Sequence, residues 1–275
     1  MSTVVQKQLP IGVFDSGVGG LTVLKALRES LPDENLIYLG DTARLPYGTK
    51  SPASISRYAC QATRLLQERN IKLLVVACNT ASAVALDALR EQMHPLPVIG
   101  VVEPGASAAV AARPGGSHLV LATEATVRLG AYRRAILALD PEASVEELAC
   151  EMLVSLAEEG WHDGAIAEAI VARYVAELGD TAGNADSVIL GCTHFPLLRA
   201  PIAGAFADEV AVVDSASTTA AVAAELLGSL DLRNESGQAG TLQLLATDGA
   251  NRFARVGGWF LGTKLRAGDV VLVDL

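Results

Sequence analysis

The chain is expected to fold as an α/β protein of two pseudo-symmetric lobes with mostly parallel sheets. Three observations predict this. Short aliphatic runs alternate with helical patterns along nearly the whole sequence. The runs lack the apolar–polar alternation of a half-solvated sheet, which points to parallel strands joined by helices and covered on both faces. The pattern also begins again near the middle. "IGVFDSG" near the start is answered by "LVLATEATV" at 119–127, and "VVACNTASA" at 75–83 by "VILGCTHFP" at 188–196. Asp15 and Thr123, which close the first of these runs, are 108 residues apart, and Cys78 and Cys192 are 114 apart. Offsets this close fit a duplicated unit with a small insertion.

In the first lobe, residues 11–14, 36–39, 73–77 and 98–101 read as strands, each aliphatic and bounded by Gly, Asp or Pro. The clearest helix spans 52–69. Ser51 suits its N-cap and Pro52 its first helical position. Ile55, Tyr58, Ala59, Ala62, Leu65 and Leu66 then form one apolar stripe. "GVVEPGASAAV" ends a strand and opens a helix, placing a lobe boundary near Val102 to Pro104. Residues 119–122, 188–190, 210–213 and 242–246 read as the later strands, and "DLRNESGQAG" at 231–240 as a surface loop.

Composition narrows the class. With 51% hydrophobic and 19% charged residues in 275, the chain can bury a sizeable core and is not a disordered one. A net charge of −10 argues against nucleic-acid partners and against an anionic membrane surface. No apolar stretch approaches the roughly 20 residues of a membrane span. "MSTVVQKQLP" lacks the charged-then-apolar layout of a signal peptide, so a cytoplasmic location is expected. The four cysteines form no C-x-x-C pair, and His94, His118, His162 and His194 share no ligand spacing, so no metal is expected. None of the five lysines follows a strand in a Schiff-base motif, so no pyridoxal cofactor is expected either.

In open parallel sheets, ligands collect at the carboxyl ends of the strands. Polar residues directly after apolar runs are therefore the candidates: Asp15–Ser16, Asp41 with "LPYG" behind it, Cys78–Asn79–Thr80, residues 123–126, and Cys192–Thr193–His194. Asp41 suits a loop cap as well as a ligand contact. "DSGVGG" has neither the P-loop lysine nor the full G-x-G-x-x-G spacing. Cys60 and Cys150 read as small buried hydrophobes. Cys78 and Cys192 are different, because each stands where a strand is expected to give way to a helix. A free thiol titrates near 8.5, and a helix N-terminus favours its thiolate. Asp15 and His194 are placed to accept or relay a proton. The Asn-Thr and Thr-His pairs, with the first helical N–H groups, suit carboxylates. A carboxylate-bearing substrate between the lobes would have a thiol on either face of one carbon.

"IGVFDSGVGGLTVL", "YLGDTARLPYGTKS", "VVACNTASA", "EEGW" and "VILGCTHFPLL" together resemble the cofactor-independent aspartate/glutamate racemase family, in its glutamate racemase branch. The likeness runs from about residue 11 to "VDS" at 213–215 and more weakly to "TDG" at 247–249. It implies two pseudo-symmetric lobes with the site in the cleft between them. Residues 1–102, completed by 215–275, would form the first lobe, and 103–214 the second. It implies Cys78 as the base toward D-glutamate and Cys192 as the base toward L-glutamate, assisted by Asp15 and His194 respectively. Ser16, Tyr47, Gly48, Asn79, Thr80, Thr126 and Thr193, with Asp15 and His194, would bind the substrate, and Glu158 would lie beside the second thiol. The implied partner is glutamate alone, with no cofactor, and the implied product is D-glutamate for peptidoglycan. A homodimer is compatible with the resemblance.

One stretch departs from the pattern. Where the family has prolines, "CEMLVSLAEEGW" has Glu151 and Ser155, leaving two readings of Glu158: site residue or solvated helix-end carboxylate. Three rival functions are weighed against the racemase. They are a related racemase acting on aspartate or a hydantoin, a thiol hydrolase or transferase with one nucleophilic cysteine, and a two-lobed binding protein.

Overall fold

Two parallel sheets organise the computed structural model, which describes residues 3–275. Met1 and Ser2, at the head of the stretch read for a leader, lie outside the described residues. The strands are β1 (Ile11–Asp15), β2 (Leu36–Gly40), β3 (Leu73–Val76), β4 (Val98–Gly100), β5 (Ser117–Ala122), β6 (Ser144–Ala149), β7 (Ser187–Gly191), β8 (Ala211–Asp214), β9 (Leu242–Ala246) and β10 (Val270–Leu272). The first sheet has the order β10-β9-β2-β1-β3-β4, the second β6-β5-β7-β8. Four consecutive strands thus take the same order in both sheets, and β9 and β10 return late in the chain to extend the first. Every pairing among the described residues is parallel, as the missing alternation predicts.

Both faces of each sheet are covered. Along β1, Ile11 and Val13 enter one hydrophobic cluster while Phe14 enters another. Along β5, Leu119 and Leu121 join the first of these while Val120 and Ala122 face a third. Successive strand side chains point to opposite faces, so two covered faces demand apolar residues at every position. The shared cluster extends through helices Leu21–Ser30 and Ser215–Ser229, so one core joins the two sheets.

Helix Pro52–Gln67 begins as expected, with Ser51 Oγ accepting from the Ser54 N–H at 3.3 Å, and ends two residues early. Helix Val102–Ala112 starts at the expected boundary. Two strands escape the sequence reading, β6 ("SVEELA") and β10 ("VVL"). Both lie at sheet edges, where half the hydrogen-bonding groups have no neighbour and polar or exposed side chains are tolerated. Glu146 and Glu147 make β6 look helical, and β10 is only three residues long. Among the described residues, no helix is long and apolar enough to cross a membrane.

Candidate active site

In both sheets the chain leaves the first strand for one neighbour and returns to the other side for the third. Such reversals open a crevice at the carboxyl ends of the strands. Asp15 ends β1 and Cys78 follows β3, while Thr123 follows β5 and Cys192 follows β7. The two thiols therefore occupy equivalent positions in the two sheets. Ser16, Tyr47, Gly48, Cys78, Asn79, Thr80, Cys192, Thr193 and His194 line one cavity of about 60 Å³. Asp15, Thr126 and Glu158 stand behind its wall. Both thiols are buried, each 6% exposed.

Cys78 caps helix Asn79–Met93, its sulfur accepting from the Ala81 N–H at 3.4 Å and facing Ser16 Oγ at 3.5 Å. These contacts favour thiolate, yet burial and then the Asp15 charge win, and the Cys78 thiol is pushed up to about 12. Burial likewise raises the Asp15 carboxyl above the usual carboxylate range, against the pull of His194 and of the N–H groups of Gly17, Gly20 and Ser16. Asp15 Oδ2 accepts from the Gly17 N–H at 2.9 Å, whereas Oδ1 is buried without a hydrogen-bond partner among the described residues.

The second thiol has a different setting from the one expected. After Cys192 the chain enters a 3₁₀ turn, Phe195–Leu198, and then a short helix, Arg199–Ala203. A long helix starting at Thr193 would bury Pro201 in its interior, where the ring clashes with a carbonyl four residues back. Restarting at Arg199 leaves Pro201 in a first turn. In place of a helix N-terminus, Cys192 has an imidazole. Its sulfur lies 3.7 Å from His194 Nδ1, His194 Nε2 lies 3.1 Å from Glu158 Oε1, and Arg252 donates to Glu158 Oε2 at 2.6 Å. Burial opposes charge on His194, but its bonds to Cys192 and Glu158 outweigh that and raise it to about 10. Burial also opposes charge on Glu158, where contacts with His194 and Arg252 prevail and hold the carboxyl below its usual range. Glu158 thus reaches the second thiol through His194, and the solvated-carboxylate reading gives way.

The glycines of "DSGVGG" allow close approach to this loop. A Cβ on Gly19 would collide with Thr193 Oγ1 and the His194 ring. Thr22 Oγ1 donates to the Thr193 carbonyl at 3.0 Å. Asp41 serves its loop: it accepts from Tyr47 OH at 2.5 Å, Arg44 Nε at 2.7 Å and Thr247 Oγ1 at 3.0 Å. Tyr47 therefore spends its hydroxyl on Asp41 and meets the cavity with the rest of the residue. Across the cavity, the hydroxyls of Thr80, Thr123 and Thr126 form a triangle with sides of 3.1, 3.4 and 3.1 Å.

The structure adds Pro46, Thr49, Thr123, Glu151 and Val154 to the wall. Thr123 satisfied the strand-end rule and had no second signal. Glu151, read as a departure from the family, accepts from the Glu124 N–H at 2.5 Å and faces the cavity. Arg252 sits in the late helix Ala250–Leu261 and had no sequence signal at all. Lys72 is buried at the opposite end of β3, 2.5 Å from Glu34. Among the described residues no three His, Cys, Asp or Glu side chains gather as metal ligands would.

Residues 11–223 match the Asp/Glu/Hydantoin racemase family. A glutamate racemase from Geobacter metallireducens is 48% identical over 96% of this chain and 96% of that protein. The glutamate racemase of Francisella tularensis, solved with D-glutamate, superposes with a TM-score of 0.89 at 36% identity, covering 98% of both chains. A glutamate racemase isoform from Bacillus anthracis gives 0.91 at 34% identity with the same coverage. Matches of this length and identity extend well beyond the cysteine loops, and the chain belongs to the Asp/Glu/Hydantoin racemase family, as an isomerase of the amino-acid racemase class.

Proposed function

We propose that this chain interconverts L- and D-glutamate without a cofactor, using Cys78 and Cys192 as a pair of opposed bases. The observation that supports this best is the placement of two buried thiols at equivalent strand ends of two sheets, facing one cavity. In the D-to-L direction, Cys78 as thiolate takes the α-proton and becomes a thiol. The Cys192 thiol then gives its proton to the opposite face of the carbanion and becomes a thiolate. The L-to-D direction reverses these roles, and exchange with solvent resets the protons between turnovers. The carbanion's charge spreads into the adjacent carboxylate, where aimed N–H and O–H donors stabilise it most when water is excluded. Asn79, Thr80 and Thr193 supply such donors, Thr126 backs Thr80 through its hydroxyl, Ser16 and the 47–48 turn complete the grip, and the buried acceptor Asp15 Oδ1 suits a proton or the substrate ammonium.

A cavity of about 60 Å³ holds only a few waters. Glutamate therefore enters when the lobes part and is enclosed when they close. We draw the lobes as 1–102 completed by 215–275, and 103–214, a division supported by the strand membership of the two sheets. The product's role is D-glutamate supply for peptidoglycan in the cytoplasm.

Deuterated water tests the mechanism. Starting from L-glutamate, early D-product should carry deuterium at Cα while remaining L-substrate stays protonated, since separate groups remove and return the proton. Comparable label in recovered L-glutamate and early D-glutamate would refute the two-base route. Aspartate offered in place of glutamate checks the substrate, and it should turn over far more slowly.

A further inference from the structure

Asn79 is 3% exposed and lines the cavity, and its two amide ends have unequal fates. Oδ1 accepts a 2.7 Å hydrogen bond from the Tyr132 hydroxyl. Nδ2 is buried with no hydrogen-bond partner among the described residues. Left unmet, such a donor is a standing penalty, and in a wall built to hold carboxylates it is a donor awaiting an anion. An asparagine amide can turn over with little change of shape, exchanging donor for acceptor. Turned over here, it would present a carbonyl oxygen to a substrate carboxylate and repel it. Something must hold the amide the right way round.

Tyr132 is placed to do so. It belongs to helix Ala131–Leu139 on the second sheet, while Asn79 opens a helix on the first, so their bond crosses between the sheets. The ring is wedged between two glycines: a Cβ at Gly105 would stand 3.2 Å from Cε1 and one at Gly191 3.1 Å from Cε2. Gly191 directly precedes Cys192, so the ring rests on one thiol loop while its hydroxyl grips the other. Burial raises the Tyr132 phenol far above its ordinary range, so its proton is always there to donate.

We infer that Tyr132 is a positioning residue for substrate binding, whose hydroxyl holds the Asn79 amide with its NH₂ turned toward a glutamate carboxylate. This rests on the reading above that Asn79 binds substrate. Tyr132→Phe keeps the ring in its glycine slot and removes only the hydroxyl. A double-mutant cycle with Asn79→Ala separates action through Asn79 from any other effect. The measurement is the dissociation constant of racemic glutamate by calorimetry, where no net reaction contributes heat and a variant that no longer turns over still reports. Tyr132→Phe should weaken binding about 5- to 10-fold in the parent enzyme, the scale of one hydrogen bond, and should have no effect in the Asn79→Ala background. A Tyr132→Phe effect of the same size in both backgrounds, or none in the parent, overturns the inference and leaves the Asn79 assignment standing. Unweakened binding by Asn79→Ala overturns the Asn79 assignment itself, and the inference with it.

Discussion

Cys78 and Cys192 hold the same place in two like-ordered sheets, yet the charged groups around them differ. Cys78 has a buried carboxylate near it, and burial with that negative charge stores it as a thiol. Cys192 faces an imidazole backed by Glu158 and Arg252. Fold symmetry supplies two thiols one cavity apart. The elements that differ between the halves, the "DSGVGG" loop on one side and the Glu151–Glu159 helix with Arg252 on the other, decide what surrounds each thiol. A reaction that must run in both directions does not need identical halves. On the two-base route proposed above, it needs each thiol to reach the state required at its step.

The largest expected effect tests whether the halves act as a pair. Cys78→Ala and Cys192→Ala should each lower racemisation by about 10³-fold or more in both directions, the scale of losing an acid–base group, followed by optical rotation. Cys60→Ala and Cys150→Ala should leave the rate nearly intact. A single replacement at Cys78 or Cys192 that still racemises at the parent rate breaks the comparison outright.

Next in size is the asymmetry between the supports. Asp15→Asn should slow the D-to-L direction more and His194→Asn the L-to-D direction more, each by about 10²-fold in kcat. The ratio of kcat/KM values stays fixed by the reaction equilibrium, so kcat alone carries the comparison. Equal kcat losses in both directions for both variants would show that neither side chain serves one thiol in particular.

The smallest effect sharpens the second half alone. His194 is raised from its usual 6.5 to about 10, so the folded protein holds a proton that the unfolded chain has lost between those values. The corresponding stability is complete below pH 6.5 and is lost as pH rises toward 10. Glu158→Gln removes the anionic partner, lowers the His194 value and should flatten this decline. Urea unfolding of parent and variant from pH 6 to 10 reads it. Identical slopes would detach Glu158 from His194.

The parallel architecture and the thiol positions were legible because they depend on local pattern. An aliphatic run without alternation must be covered on both faces, and a polar residue at its end must stand at the mouth of the sheet. "ACNT" and "GCTH" satisfy both conditions twice over. β6 and β10 were not legible, because an edge strand need not be apolar and sequence does not say which strand lies at an edge. Nor was the 3₁₀ turn after Cys192, although Pro201 held the clue.

By itself, then, the sequence determined the strand periodicity, the order of apolar run and polar end, and the pair of cysteines 114 residues apart. Only the tertiary structure decided that Thr123 completes a hydroxyl triangle with Thr80, that Tyr132 reaches Asn79, that Glu151 faces the cavity and that Arg252 returns to hold Glu158. It also decided that Cys78 rests as a thiol despite its helix N-terminus. The physical reason is common to all of these. Periodicity and turn chemistry act between near neighbours in the chain, whereas contacts across dozens of residues depend on where the sheets place them. The charge on a thiol depends on how much water packing excludes and which charges it leaves nearby.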